Sequence, residues 1–353
     1  MRRFDFYFFE QFDAELAAAD PANPRRLPGP ATDAALTAVA QGESVAPEEV
    51  RRLAEAGVLR REGGALRFDS PVFLREDAAA LHSLAAPVAA RMVDRLAGRM
   101  GEIRSVCGAG ERLYFLLCGM VLDGTLFDAL QARGAVATSR MHASGLDYLC
   151  VIYERCEALD ALSRGLLCSW NRWIGESCAL QSFGDADGDR LDFYRVARLM
   201  EQGRATGRYA GAARAMTLLG DDRREAITRG AAALCRGGDC PPAVLAALEL
   251  MGYARQGRIC VPVLRRKDEE AVARIGAVVE DCLADALAQE LSALARDPSL
   301  TAVRHGVAPG EIANELYHLV FGFINEELAA RGLVASPGRI PGEGRYLRSI
   351  SLA

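Results

Sequence analysis

One eleven-residue stretch occurs twice in this chain, and the repetition restricts the folds that the chain can adopt. Residues 71–81 (PVFLREDAAAL) and 262–272 (PVLRRKDEEAV) are identical at five positions, including a leading proline and an aspartate at the seventh position. Three other segment pairs, one before this stretch and two after it, occur in the same order in both copies, and the four offsets along the chain are 195, 191, 203 and 198 residues. The pairs are PEEVRRLAEAGVLRR (47–61) with PAVLAALELMGYARQ (242–256), LYFLLCG (113–119) with LYHLVFG (316–322), and DALQARGAVAT (128–138) with EELAARGLVAS (326–336). The sequence therefore predicts a tandem duplication with pseudo-two-fold symmetry.

Each predicted copy begins with the same short helix and hairpin. The helix starts at a proline, which is tolerated in a first helical turn, and ends at Gly57 or Gly252, because glycine readily adopts the left-handed C-cap conformation. A two-stranded hairpin then turns at Gly63-Gly64 in the first copy and near Gln256-Gly257 in the second. These signals predict a helix followed by a hairpin at both places.

Longer helices follow each hairpin. The aspartate of the repeated stretch precedes a predicted helix at about 76–103 or 267–297, where its carboxylate complements the helix dipole. A second apolar helix runs through Tyr114 or Tyr317, and each copy ends in an extended stretch. The predicted fold class is therefore α+β and mainly helical.

The helix and hairpin of each copy resemble the winged-helix module of bacterial transcription regulators. The resemblance covers about sixty residues per copy, and the usual helix trio of the family is compressed here. It implies a winged-helix-like module, paired with a helical and hairpin partner domain, that binds double-stranded DNA. The matching segments are TDAALTAVAQG (32–42), APEEVRRLAEAG (46–57) and VLRREGGALRF (58–68), and then RREAITRGAAALCRGG (223–238), PPAVLAALELMG (241–252) and YARQGRICVPV (253–263).

Basic residues on these segments are the candidate DNA contacts, because arginine donates to phosphate oxygens and guanine edges. In the first copy they lie on the predicted recognition helix (Arg51, Arg52) and on the wing (Arg60, Arg61, Arg67). In the second copy the helix carries no basic residue, and the candidates lie on the hairpin and the following helix start: Arg255, Arg258, Arg265, Arg266 and Lys267. The other interpretation is a solvated face with balancing glutamates in the first copy and a packing or partner-binding module in the second.

Two segments between the copies suggest further sites. CSWNRW (168–173) places Trp170, Arg172 and Trp173 together, which fits either a ligand pocket or, for tryptophans three apart on a helix, a packed face. FGDADGDRLDFYR contains four aspartates, at 185, 187, 189 and 192, but it lacks the glycine and glutamate positions of a calcium loop. We expect Asp189 to cap the helix that follows.

Composition excludes several function classes. The net charge of -5 disfavours a protein that coats nucleic acid through bulk charge, although it allows a local basic face. The ten cysteines are expected to be reduced, because no export signal is found in the sequence. None of them forms a C-x-x-C pair, so no metal site is expected. No catalytic spacing is found around the four histidines, and no catalytic residue or cofactor is predicted. The longest apolar run, 113–122, is half the length of a membrane span, and a cytoplasmic protein is expected.

Together these patterns predict a DNA-binding regulator built as a fused pseudo-dimer, monomeric or homodimeric and open to control by a small-molecule effector. The alternative is a protein-interaction or ligand-sensing protein that uses the modules as scaffold, with an enzyme as a third choice. The predicted domains are an aromatic-rich arm and linker (1–31), module 1 with its long helix (32–103), partner domain 1 (104–157), a mainly helical linker (158–221), module 2 with its long helix (222–297) and partner domain 2 (298–353).

Overall fold

The computed structural model describes residues 2–10, 23–142, 144–163, 166–185, 189–201 and 203–353. It is an α+β structure with 54% helix and 18% strand, in agreement with the predicted class. The helices are α1 (Pro30–Gln41), α2 (Pro47–Glu55), α3 (Ala78–Ala97), α4 (Met100–Cys107), α5 (Glu111–Tyr114), α6 (Leu126–Ala132), α7 (Glu157–Ser163), α8 (Phe193–Glu201), α9 (Tyr209–Thr217), α10 (Arg223–Cys235), α11 (Pro242–Leu250), α12 (Arg266–Leu294), α13 (Thr301–Arg304) and α14 (Pro309–Ala330). A π-helical segment, Phe115–Thr125, joins α5 to α6, and 3-10 turns lie at Pro24–Arg26 and Arg75–Asp77. The strands are β1 (Phe4–Glu10), β2 (Leu59–Glu62), β3 (Ala65–Phe68), β4 (Val72–Phe73), β5 (Arg140–Met141), β6 (Asp147–Glu154), β7 (Leu167–Ile174), β8 (Cys178–Asp185), β9 (Ala254–Arg255), β10 (Arg258–Ile259), β11 (Val263–Leu264), β12 (Arg339–Ile340) and β13 (Gly344–Leu352).

The chain divides into two compact units, and neither is a continuous stretch of sequence. Unit 1 comprises Met1–Arg95, Leu126–Ser163 and Glu280–Ile324. Unit 2 comprises Leu96–Thr125, Arg164–Val279 and Asn325–Ala353. The six consecutive domains expected from the sequence therefore do not coincide with the compact units, because helical segments from each half of the chain pack in the unit of the other half.

Unit 1 contains a sheet in the order β1-β6-β4, with β5 also paired to β6. Strand β1 is antiparallel to β6 over its whole length, so residues 4–10 of the expected arm are part of the sheet. The aromatic side chains explain this placement: Phe4 is buried, and Tyr7 makes an edge contact with Tyr153 at 5.9 Å between ring centroids. A run of aromatics suits a pleated, half-buried surface better than a solvated arm.

Unit 2 contains a sheet in the order β11-β13-β8-β7, with β12 paired to β13. Strands β7 and β8 lie within 158–221, which was expected to be mainly helical, and that expectation is wrong for this part of the segment. One face of the sheet packs on α8–α11 through an apolar core that includes Leu180 and Ile350. On the opposite face, the Phe183 ring lies 5.4 Å from that of Tyr114 and so close to the π-helical segment that a Cβ added at Gly119 would lie 3.2 Å from it.

The repeated stretch forms the same joint in both units. In unit 1 the backbone N–H of Leu74 donates to the Asp77 carboxylate at 2.7 Å, and in unit 2 that of Arg265 donates to Asp268 at 2.8 Å. The strand before each joint, β4 or β11, pairs in parallel with a long strand, β6 or β13. Both aspartates are buried. In each unit the repeated aspartate therefore binds a backbone N–H at the start of the following helix.

Helix lengths differ modestly from the sequence expectation. The predicted helix at 76–103 is divided into α3 and α4, and the one at 267–297 is α12. The continuous helical stretch Glu111–Ala132 is long and apolar enough to cross a membrane by length and composition, but 61% of its most apolar window is buried inside the protein. Burial of this kind is typical of a core helix.

Candidate nucleic-acid interface

The first hairpin holds its central arginine inside unit 1. Strands β2 and β3 place Arg60 directly opposite Arg67. The Arg60 guanidinium donates to the Asp69 carboxylate at 3.1 Å and to the backbone carbonyl of His305 at 2.6 Å. Arg67 lies 4.0 Å from the Glu62 carboxylate. The positive charges of this pair are therefore largely compensated within the protein.

His305 fixes the same hairpin from its other strand. The backbone N–H of Phe68 donates to His305 Nδ1 at 3.0 Å, and the two rings lie 4.4 Å apart. Burial, together with nearby arginines that include Arg67 and Arg304, lowers the pKa of His305 to about 4. The imidazole is consequently neutral near pH 7 and can accept this hydrogen bond.

Helix α2, the predicted recognition helix, presents a mixed charge. Arg52 donates to the Glu49 carboxylate and to the Thr32 hydroxyl. The hydrogen bond from Arg52 lowers the pKa of the Glu49 carboxyl. Arg51 is exposed and makes no hydrogen bond or ion pair with any described residue, but Glu48 and Glu55 share the exposed surface. Three glutamates against two arginines give this helix no net positive charge, which weakens its attraction to phosphate.

The hairpin carries one further free cation, Arg61, which is exposed and unpaired among the described residues. In unit 1, therefore, the structure leaves Arg51 and Arg61 available and engages the other three candidate arginines.

The second hairpin is different, because its arginine pair is not compensated. Strands β9 and β10 place Arg255 directly opposite Arg258 across a turn formed by Gln256 (φ 51°) and Gly257 (φ 76°). Both arginines are exposed, and neither makes a hydrogen bond or ion pair within the described part of the chain. Like charges directly opposite each other on neighbouring strands are destabilising. An anion bound between the two guanidinium groups would remove this repulsion.

Three more cations follow this hairpin at the start of α12. Arg265 donates to the backbone carbonyl of Cys235 at 3.3 Å, Arg266 lies 3.8 Å from Glu270, and Lys267 is exposed. The adjacent Asp268 is buried and its carboxylate accepts from Arg112 at 2.6 Å, so it does not offset the surface charge. Five basic residues thus lie between 255 and 267 with no acidic residue among them.

The candidate ligand residues lie on a strand, and the structure separates them. On β7, Trp170 and Arg172 share one face, with the guanidinium carbon 4.5 Å from the indole centroid. Trp173 faces the opposite side and stacks on Phe193 at 5.0 Å in the apolar core. The expectation that both tryptophans lie on one helix face is wrong, because side chains alternate along a strand. A ligand can therefore contact the first pair but not Trp173 at the same time.

The face that carries Trp170 and Arg172 also has a perturbed carboxyl. Asp123, on the π-helical segment, has a pKa raised to about 8 by burial, although the positive charges of Arg172 and Arg190 oppose the shift. The Trp170 indole N–H donates to the Gln181 side chain at 2.8 Å. Arg172, Trp170 and Asp123 form a polar patch beside the π-helical segment. The raised pKa lets the Asp123 carboxyl change its charge near neutral pH.

The aspartate-rich turn has structural roles. Asp185 accepts from Arg345 at 3.1 Å, and Asp192 accepts from the backbone N–H of Arg195 at 2.7 Å at the start of α8. Asp192 therefore caps this helix, and the assignment of the cap to Asp189 was wrong. Asp187 lies outside the described residues. Across the described chain, no group of three or more histidine, cysteine, aspartate or glutamate side chains could hold a metal ion.

A polar stripe on α14 went unnoticed in the sequence. Glu311, Asn314, Glu315 and His318 follow the i, i+3, i+4, i+7 spacing of one helix face. Burial raises the pKa of both glutamates to about 7 and lowers that of His318 to about 4. The Tyr153 hydroxyl donates to Glu315 at 2.6 Å. The spacing could have revealed the stripe, but an amphipathic pattern predicts a solvated face, whereas these four side chains are buried or half-buried inside unit 1.

No protein-family model matches the chain, and comparison with curated proteins and with solved structures gives no match.

Proposed function

We propose that the chain is a DNA-binding transcriptional regulator, built as a pseudo-dimer of two winged-helix-like modules, in which the second hairpin makes the main phosphate contacts. The observation that carries the proposal is the uncompensated cross-strand pair Arg255 and Arg258. Duplex DNA presents closely spaced phosphates, and each can neutralise a guanidinium group at this hairpin.

The recurrence of the joint supports the duplication on which this proposal rests. The same order of elements occurs around Asp77 and around Asp268: a proline, a parallel strand, the aspartate and a long helix. Each aspartate accepts an equivalent backbone hydrogen bond. A duplicated chain carries its symmetry axis within one molecule, so its halves are free to diverge. The first hairpin would then be a structural element held by His305, and the second would retain the exposed basic surface. Such a regulator acts in the cytoplasm.

A small-molecule effector is part of the proposal. The patch of Trp170, Arg172 and Asp123 would take a planar ligand that stacks on the indole and carries a group able to hydrogen-bond the carboxyl.

The test is a salt titration of binding to random duplex DNA. For R255A/R258A we expect weaker binding, and the slope of log K against log salt should fall in magnitude by about 1.8, because each lost phosphate contact removes about 0.9. R95A/R296A removes the same charge from exposed positions of unit 1 and should leave the slope unchanged. R51A/R61A should have an intermediate effect.

Binding that is absent at low salt would rule out the regulator. An equal loss in R95A/R296A and R255A/R258A would show that only net charge matters and would rule out the hairpin as the contact.

A protein-interaction role is the second candidate, and a specific observation favours it. Helix α11, in the place of a recognition helix, carries no basic residue, and its last residue, Leu250, is 46% exposed. Leu218, which belongs to the same unit, is 83% exposed. Exposed leucines of this kind suit a protein partner better than a DNA groove.

A further inference from the structure

Each of the two compact units is built from segments of both halves of the chain. The first half, residues 1–163, supplies most of unit 1 but also Leu96–Thr125 of unit 2. The second half, residues 166–353, supplies most of unit 2 but also Glu280–Ile324 of unit 1. We call Leu96–Thr125 and Glu280–Ile324 the exchanged segments.

The exchanged segment of the second half completes the polar interior of unit 1. Asp77 is fully buried, and its carboxylate accepts from the backbone N–H of Thr301 at 2.8 Å and from the Thr301 hydroxyl at 3.0 Å. Asn314 donates to the carbonyl of Ala137 at 2.8 Å. Removal of this segment would leave a buried carboxylate without two of its donors, which costs several kcal/mol.

The exchanged segment of the first half completes unit 2 in a similar way. Arg112 donates to the buried Asp268 carboxylate through two nitrogens, at 2.6 and 2.8 Å. The Tyr114 ring packs on Phe183 with 5.4 Å between centroids. Eight apolar side chains of this segment, those of residues 113–118, 121 and 122, are at most 1% exposed. A helix that is apolar on every side cannot be left in water, so it needs the sheet of unit 2 as its partner.

The exchange is reciprocal. LYFLLCG (113–119) lies in one exchanged segment and its repeat LYHLVFG (316–322) lies in the other. Likewise, Asp77 and Asp268, which are equivalent in the repeat, each bind a residue of the segment that comes from the other half. Reciprocal exchange of equivalent elements is the geometry of a domain-swapped dimer.

We propose that the two halves form a domain-swapped pair within one chain, in which each half is the obligatory folding partner of the other and the covalent link between them is dispensable. The kind of partner that either half fits is a second copy of the repeat. This inference does not depend on DNA binding.

The test is cleavage of the intact, folded chain. A protease recognition sequence is inserted between Ser163 and Leu166, and the native protein is cut there. We expect the two fragments to elute together at the 38.0 kDa mass of the whole chain, to remain together at about 10 nM, as a nanomolar complex does, and to separate only in denaturant. Fragments that separate on a native column, each retaining its circular dichroism, would overturn the proposal.

A variant locates the contact that holds the halves together. A Cβ added at Gly119 would lie 3.2 Å from the Phe183 ring, whereas one added at Gly101 meets nothing within 4 Å. In the cut protein we expect G119V to raise the dissociation constant at least about tenfold and G101V to leave it unchanged.

The uncut G119V chain serves as the folding control, because the link keeps the segment at high effective concentration. Cut G119V fragments that bind as tightly as those of the unsubstituted chain would show that this segment does not hold the halves together, and would overturn the exchange.

Discussion

Replacing Asp77 with alanine should lower the free energy of unfolding by about 3 kcal/mol. The buried carboxylate accepts hydrogen bonds from the backbone N–H groups of Leu74 and Thr301 and from the Thr301 hydroxyl. Alanine leaves all three donors without a partner in the interior, and an unsatisfied buried group costs about 1–3 kcal/mol. Urea unfolding followed by circular dichroism measures the change.

Asp77→Asn is the matched control. The amide oxygen can still accept from Thr301, while the amide nitrogen cannot accept from Leu74, so we expect a loss of about 1 kcal/mol. Equal losses for alanine and asparagine would show that the carboxylate charge, and not the hydrogen bonds, is what stabilises the joint. Asp268→Ala should reproduce the larger effect, because that carboxylate accepts from Arg112 and from the Arg265 backbone.

Glu315→Gln should make the protein more stable by about 3 kcal/mol at pH 8.5 but by less than about 1 kcal/mol at pH 5.0. Burial raises the pKa of Glu315 from 4.5 to about 7. A raised carboxyl pKa means that the folded state binds the proton more tightly, so this stabilisation is complete below pH 4.5 and is lost as the pH rises through 7. Glutamine stays neutral and can still accept from the Tyr153 hydroxyl.

The comparison at two pH values isolates this carboxyl from the histidines. The pKa values of His305 and His318 are lowered to about 4, so their contribution to stability is present above pH 6.5 and is lost as the pH falls toward 4. Both proteins contain these histidines, and their effect cancels in the difference. A destabilisation of the glutamine variant by the same amount at both pH values would contradict the raised pKa and would mean that the carboxylate is needed only as a hydrogen-bond acceptor.

The local elements were predictable because their signals are local. Pro47 and Pro242 begin helices α2 and α11, and the glycines that end them adopt positive φ angles of 67° and 70°. The repeated aspartate begins a helix in each unit, as its position predicts. Each of these features depends on a few neighbouring residues.

Contacts between distant residues were not predictable. The nine arginine candidates look alike in the sequence. Arg60 differs from Arg255 because its guanidinium donates to the backbone carbonyl of His305, 245 positions further along the chain. Strand β7 was missed because a spacing of three residues between tryptophans fits two structures. It places both on one face of a helix, or on opposite faces of a strand. The apolar pattern of the exchanged segments predicts helices. It does not specify the sheet against which each helix packs.

Lys267 gives the exposed basic surface a chemical property that the arginines lack. It is the only lysine in the sequence and it is exposed, twelve residues after Arg255. An amine-selective reagent therefore has one side-chain target in the whole protein, beside the second hairpin. A fluorophore placed there would report on occupancy of that surface in the unmutated protein.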